Sequence, residues 1–245
     1  MIEPFTGSAA IFNNTDYPDY LLGEDNRDLV ALFQYLQLEQ EAFIDYCKTL
    51  FCQSNNCAMR YYELRKVFNQ TQQSRKRAAL FLYLNRHGYN GLCRYNKQGI
   101  YNVPFGRYIK PYFPEAEMRY FYQKSHQATF VHSDFRQTFM LARPGDLIYC
   151  DPPYSPIMQS SNFSAYTQKK FGEKEQTILA KLAREQAAKG VTVIISNHDT
   201  PFTRKQYFDA DIKSFQVKRS ISCHSEKRLE VKELVAIFNA GNAYP

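Results

Sequence analysis

Apolar positions recur along the chain with two distinct rhythms. Ile2 to Phe5 and Tyr20-Leu21-Leu22, the latter running into Gly23-Glu24, are short apolar runs of strand length. Between them Gly7 to Ala10 forms a small-residue turn that leads into a short helix. From Asn26 to about Arg86 the period changes. Leu29, Leu32, Phe33 and Leu36, and later Leu80, Phe81 and Leu84, fall at three- and four-residue spacing, which predicts helices. Residues 88–112, GYNGLCRYNKQGIYNVPFGRYIKPY, keep neither rhythm and are rich in Gly, Tyr and Asn, which predicts a hairpin and loops. After Pro114 the alternation resumes: a helix over 115–126, a strand at Thr129–His132, a strand ending at Asp151, a helix over 173–189 and a strand at Val191–Ser196. The pattern predicts an α/β domain built from residues 1–30 and 115–245, interrupted by a mostly helical insertion at 31–114.

One strand ends unusually. Leu147-Ile148-Tyr149-Cys150 runs directly into Asp151-Pro152-Pro153-Tyr154. Asp-Pro can simply open a turn. Two consecutive prolines also fix φ and remove N–H donors, so a stiff platform of carbonyls stands beside a carboxylate and an aromatic ring. Such a platform can accept two hydrogen bonds from one planar amine while the ring stacks on its face, a shape that a flipped adenine or cytosine offers. The Gly7 turn adds a second candidate. Glu24 follows 17 residues later at the end of the next strand, where an acid in nucleotide-binding sheets accepts hydrogen bonds from ribose hydroxyls. Taken alone, a glycine followed by an acid is also a common chance pattern.

Charge narrows the partner. The formal net charge is +7 with a pI near 9.0, which suits a polyanion. Between residues 85 and 124 seven Lys or Arg (86, 94, 97, 107, 110, 119, 124) face two Glu (115, 117), and Tyr, Phe and Asn interleave with them. That mixture fits duplex recognition, with cations for phosphates and Asn, Arg and apolar tips for base edges, or else a solvated basic loop. The aromatic residues are 19 Tyr and 19 Phe with no Trp. Six cysteines include no C-x-x-C pair, and five histidines sit singly, so no metal is expected and the thiols read as reduced and structural. Ser196-Asn197-His198-Asp199, after an apolar strand, reads as loop or site, with structural use the preferred reading. No apolar run is long enough to span a membrane and Glu3 stands where a signal peptide carries positive charge, so a cytoplasmic protein is expected.

Taken together, Glu3-Pro4-Phe5-x-Gly7, the stretches Leu84 to Asn96 and Asn102 to Tyr108, and Asp151 to Tyr154 closely resemble the Dam family of DNA adenine-N6 methyltransferases. The similarity continues through Asn162 to Tyr166, Ile195 to Thr200 and Arg219 to Ser222. The resemblance implies a Rossmann-like methyltransferase fold with an inserted target-recognition domain, S-adenosylmethionine as methyl donor, and adenine in duplex GATC as substrate. It implies Asp151, Pro152, Pro153 and Tyr154 as the catalytic tetrad, with Phe5, Gly7, Glu24, Asp134, Phe135 and Asp151 around the cofactor. It also implies that Tyr89, Asn90, Leu92 and Arg94 read or replace bases, with Arg107 and Tyr108 nearby on the DNA. The target adenine must be flipped out of the duplex. A monomer is expected.

Three departures from the family pattern are visible. No K-W-A-G-G-K-type segment precedes Ile2, from which we expect part of the cofactor site and most of a central strand to be missing. Ala9 stands where the family has a second glycine, so a methyl is expected to crowd the cofactor, and Glu24 replaces the usual Asp. Two function classes follow: an active adenine methyltransferase, or a truncated remnant that binds DNA only.

Overall fold

A computed structural model describes residues 1–154, 171–218 and 230–239. Asn162–Tyr166 and Arg219–Ser222 fall outside the described residues. In chain order the elements are β1 (Ile2–Glu3), α1 (Ala10–Asn14), β2 (Tyr20–Glu24), α2 (Arg27–Glu39), α3 (Glu41–Thr49), α4 (Ala58–Gln70), α5 (Ser74–His87) and α6 (Glu115–Ser125). They continue with β3 (Ala128–His132), α7 (Phe135–Phe139), β4 (Leu147–Cys150), α8 (Glu173–Ala187), β5 (Thr192–His198), α9 (Pro201–Gln206), β6 (Asp211–Lys218) and β7 (Glu230–Phe238). The strands form one sheet in the order β3-β2-β1-β4-β5-β7-β6. The pairings among β3, β2, β1, β4 and β5 are parallel, and those of β7 with β5 and with β6 are antiparallel.

Most predicted elements are present, with shifted ends. β1 stops at Glu3, because Pro4 has no N–H to continue a ladder, so Phe5 lies in the turn and not in the strand. β5 runs two residues further than its apolar run, through Asn197 and His198, because β7 pairs with it there as Asn197↔Leu234 and His198↔Glu233. Residues 88–112 form a hairpin held by two isolated antiparallel bridges, Gly88↔Phe105 and Tyr95↔Tyr101, without regular strands.

Two hydrophobic clusters hold the sheet. One, which includes Phe139, Leu179 and Val193, packs α7 and α8 against β4 and β5. The other runs without a break from Leu22 and Phe130 on β2 and β3, through Phe33 and Phe121, into Phe43, Phe68 and Leu80 of the insertion. Burial of each such Leu or Phe stabilises by about 1.5–3 kcal/mol, so the insertion is held to the sheet by the same force that holds its own helices together. Helix α2 makes that junction. Asn26 caps its first turn by accepting from Asp28 N and Leu29 N, and Gln34 donates across to the Phe130 carbonyl at 2.9 Å.

Candidate active site and nucleic-acid interface

Parallel pairing from β3 to β5 turns the carboxyl ends of these strands toward one edge of the sheet, and the direction of winding reverses between β1 and β4. Ligands of α/β sheets bind at such a reversal. Glu3 ends β1, Glu24 ends β2, Asp134 and Phe135 follow β3, Asp151 follows β4 and His198 ends β5. The candidate residues for cofactor and catalysis therefore converge at one edge.

On the β1–β2 side, Gly7 has φ +49°, the left-handed region that favours glycine, with nothing within 4 Å of where a Cβ would stand. Its N–H donates to Glu24 Oε2 at 3.0 Å, and Asn26 N–H donates to Glu24 Oε1 at 2.9 Å. Burial raises the Glu24 pKa, and these two backbone hydrogen bonds oppose the rise. Each carboxylate oxygen keeps a second lone pair, so the pinned acid can still accept from a ligand hydroxyl. Phe5 stacks on Phe135 with centroids 5.2 Å apart, and Phe171 meets both rings edge-on. Asp134 caps α7 through Arg136 N at 3.0 Å and pairs with the Arg136 guanidinium at 2.8 Å, so its carboxylate already has a cation partner. The methyl of Ala9 does not stand in the open turn. Ala9 has φ 59° and is fully buried in the cluster that holds Phe12.

At the tip of β4, Asp151 is open to solvent on one side and crowded by protein on the other. That crowding raises its pKa, against a hydrogen bond from Tyr154 that lowers it. Tyr154 is fixed at both ends: its hydroxyl meets Ser196 Oγ at 2.8 Å and its ring packs edge-on against His198 at 4.5 Å. Gln176 donates to the Pro153 carbonyl at 3.3 Å, and Asn197 donates to Gln176 Oε1 at 2.9 Å. Buried Tyr207 joins that group through its hydroxyl, which accepts from Asn197 at 3.0 Å. The segment Ser196-Asn197-His198, whose sequence leaves loop or site open with structural use preferred, thus props the Asp-Pro-Pro-Tyr platform. Glu3, singled out in the sequence only as part of Glu3-Pro4-Phe5-x-Gly7, lies at the same edge, at the end of β1. It is 2% exposed, its Oε1 has no hydrogen-bond partner, and burial pushes its pKa up to about 7. A backbone hydrogen bond from Phe12 opposes this rise and the charge of Asp151 adds to it. An acid directly before Pro at the end of an apolar strand was the available signal.

These residues fit a cofactor with vicinal hydroxyls, an apolar ring and a cationic end. Glu24 supplies acceptors, Phe5 and Phe135 supply apolar surface, and Glu3 supplies a buried carboxyl oxygen with nothing bound to it. No group of acids, His or Cys that could hold a metal occurs among the described residues, and no helix there is long and apolar enough to cross a membrane.

The second constellation is the hairpin after α5. Buried His87 stacks on Tyr83 at 4.0 Å, and burial pushes its pKa down to about 4, so it is neutral at pH 7. Gly88 and Gly106 bring the two arms together: a Cβ on Gly106 would stand 2.8 Å from the Gly88 carbonyl. Asn90 (φ 52°) and Gly91 (φ 60°) turn the chain back, with Asn90 N–H donating to the Tyr108 hydroxyl at 2.9 Å. This leaves Tyr89 exposed at the base of the hairpin, beside the Gly88↔Phe105 bridge. Arg94, Lys97, Arg107 and Lys110 are all exposed on the hairpin, whereas Arg119 and Lys124 lie on α6. Arg119 is paired with Glu41 and Glu115 there, and Lys124 donates to the Thr15 carbonyl. The cationic surface is therefore narrower than the count over 85–124 suggested. Leu92 is half-buried against the core, while its neighbours Tyr89, Asn90 and Arg94 are exposed.

Comparison with known proteins gives a consistent picture. A family model described as D12 class N6 adenine-specific DNA methyltransferase matches residues 1–221. The chain is 46% identical over 242 residues to a DNA adenine methylase of Haemophilus influenzae, covering 98% of this chain and 85% of that protein. It is 42% identical over 245 residues to the DNA adenine methylase of Escherichia coli strain K12, covering 100% and 88%. To that of Serratia marcescens it is 45% identical over 239 residues, covering 97% and 88%.

Proposed function

Because the chain belongs to the D12 class of N6 adenine-specific DNA methyltransferases, we propose that it methylates adenine N6 within duplex GATC, with S-adenosylmethionine as donor. The observation that carries this reading is the propped platform at the switch of the sheet, Asp151 to Tyr154 braced by Ser196, Gln176 and His198.

The chemistry follows from the amine. Adenine N6 is a poor nucleophile because its lone pair is delocalised into the ring. Asp151 and the Pro152 carbonyl accept its two hydrogens, Gln176 being engaged with the Pro153 carbonyl, and so aim the lone pair out of conjugation. Tyr154, braced from behind, offers its ring for stacking with the flipped base. When bound, S-adenosylmethionine would supply an electrophilic methyl from its sulfonium and leave as the neutral thioether. Glu24 would hold its ribose, and Phe5 and Phe135 would line the apolar part of its pocket. As N6 gains the methyl it becomes strongly acidic and loses one proton, which Asp151 is placed to take. Its raised pKa makes it a better acceptor than an ordinary carboxylate. Tyr89, Asn90 and Arg94 read or replace bases, and Arg107, Tyr108 and Lys110 hold the backbone of the duplex.

The test is methylation of a GATC duplex and a scrambled duplex by the wild type and Asp151→Ala. The wild type is expected to methylate the first duplex selectively. Asp151→Ala is expected to bind it within a few-fold of the wild type without methylating it, because Asp151 touches no phosphate. Steady turnover by Asp151→Ala would remove Asp151 from the reaction, and equal turnover on both duplexes by the wild type would overturn GATC specificity.

A further inference from the structure

The residues on either side of Arg94 are tied, through buried polar groups, to the turn that follows the cofactor acid Glu24. Asn26 sits at that turn and uses every polar group it has. Its N–H donates to Glu24 Oε1, its Oδ1 caps α2 and its Nδ2 donates to Cys93 Sγ at 3.2 Å. Two residues on, Asp28 is 3% exposed and accepts the Tyr95 hydroxyl at 2.7 Å. The same carboxylate takes two bonds from Arg77, at 2.6 and 2.9 Å, and Arg77 donates in turn to the Phe68 carbonyl at 2.7 Å. Cys93 and Tyr95 lie more than sixty residues from their partners in sequence, so these are tertiary contacts that set where the hairpin stands. Between them, exposed Arg94 is held from the other arm. Its Nε donates to Asn102 Oδ1 at 2.8 Å and its Nη2 to the Asn102 carbonyl at 3.3 Å. Asn102 occupies one edge of the guanidinium and leaves the Nη1 side free for a base edge.

We infer that Asn26 and Tyr95 are positioning residues for sequence reading: through Cys93 and Asp28 they fix the Arg94 fork at a set distance from the cofactor pocket. The inference rests on the proposal that Arg94 reads a base. A bidentate contact to guanine needs both donors placed to within about 0.5 Å, and a fork on an irregular hairpin keeps that placement only if its backbone is pinned on both sides.

The experiment is a double-mutant cycle on the full chain. Tyr95→Phe keeps the ring packed edge-on against Tyr101 and leaves Asp28 still paired with Arg77, so the fold is retained. Asn26→Ser keeps a side-chain cap for α2 while deleting the donor to Cys93. Each is made alone and with Arg94→Ala. Discrimination is read as the ratio of kcat/KM on GATC to that on duplexes with one pair changed, beside binding to a scrambled duplex and the urea midpoint. Arg94→Ala is expected to lower discrimination roughly tenfold or more at one pair. Tyr95→Phe and Asn26→Ser should each lower it several-fold at that same pair, with binding to the scrambled duplex unchanged. In the Arg94→Ala background either change should alter discrimination by less than about twofold, because there is no fork left to misplace. Additive losses, or a loss spread evenly over all duplexes, would show a structural role and overturn the inference. If Arg94→Ala loses discrimination while Tyr95→Phe and Asn26→Ser keep it, the positioning role falls and base reading stands. If Arg94→Ala itself keeps discrimination, base reading falls and takes the positioning role with it.

Discussion

Glu3 should make the protein less stable as pH rises toward neutrality, and Glu3→Gln should abolish that dependence. The carboxyl is 2% exposed and Oε1 lacks a partner, so ionising it strands a charge away from water. Its pKa rises from an ordinary 4.5 to about 7 in the folded chain. Below pH 4.5 the group is protonated whether the chain is folded or not, and it costs nothing. Between 4.5 and 7 the folded state holds a proton that the unfolded state has released, so stability falls as pH rises. Above 7 both states are ionised and the loss levels off. At about 1.4 kcal/mol per tenfold change in proton affinity, the rise corresponds to about 3 kcal/mol. Urea titrations of the wild type and Glu3→Gln at pH 5, 6, 7 and 8 measure it directly, provided m is unchanged. Titrating groups other than Asp151, whose charge couples to Glu3, cancel in the difference between the two proteins. An amide N–H left unsatisfied beside Phe12 would add a constant offset of about 1–3 kcal/mol without a slope. The expected result is a difference that moves in favour of Glu3→Gln by about 2.5 kcal/mol from pH 5 to pH 8, the rest of the loss falling below pH 5. Parallel curves across that range would refute the assignment of a buried, proton-holding Glu3.

Ser196→Ala removes the hydroxyl that holds Tyr154 at 2.8 Å, and should lower kcat several-fold while leaving DNA affinity unchanged, as read in single-turnover and binding assays. Gly106→Ala places a Cβ 2.8 Å from the Gly88 carbonyl, a backbone atom with nowhere to move. It should destabilise by about 1–3 kcal/mol and weaken binding to every duplex, measured by urea unfolding and fluorescence anisotropy. Arg77→Leu leaves the Asp28 carboxylate buried without its guanidinium, and should lower the stability measured in urea by about 3–5 kcal/mol.

The parts of the site that show in the sequence are those fixed by local chemistry. Two prolines stiffen the chain after Asp151 wherever that strand packs, and a glycine with a left-handed φ at position 7 marks its own turn. What braces them does not show, because each brace is a contact between distant residues. Tyr154 and Ser196 are 42 residues apart and Pro153 and Gln176 are 23 apart, and no local pattern announces either pair. The same applies to the insertion. Helical periodicity marked residues 26–86 as helical, but the apolar faces of α2 and of α6 beyond the insertion complete one core with β2 and β3, which periodicity cannot assign to a partner. Ser196, Asn197 and His198 carry the sharper lesson. All three are buried in the last part of β5, where a strand built for packing alone would have stayed apolar. Their polarity ended the predicted strand at residue 196, although β7 continues the ladder past it. A buried polar side chain is tolerated only with partners, and Ser196 and Asn197 find theirs in Tyr154, Gln176 and Tyr207. The pattern breaks down at that point because the residues there are chosen for the platform they support, so a strand that turns polar before its pairing ends marks the site itself.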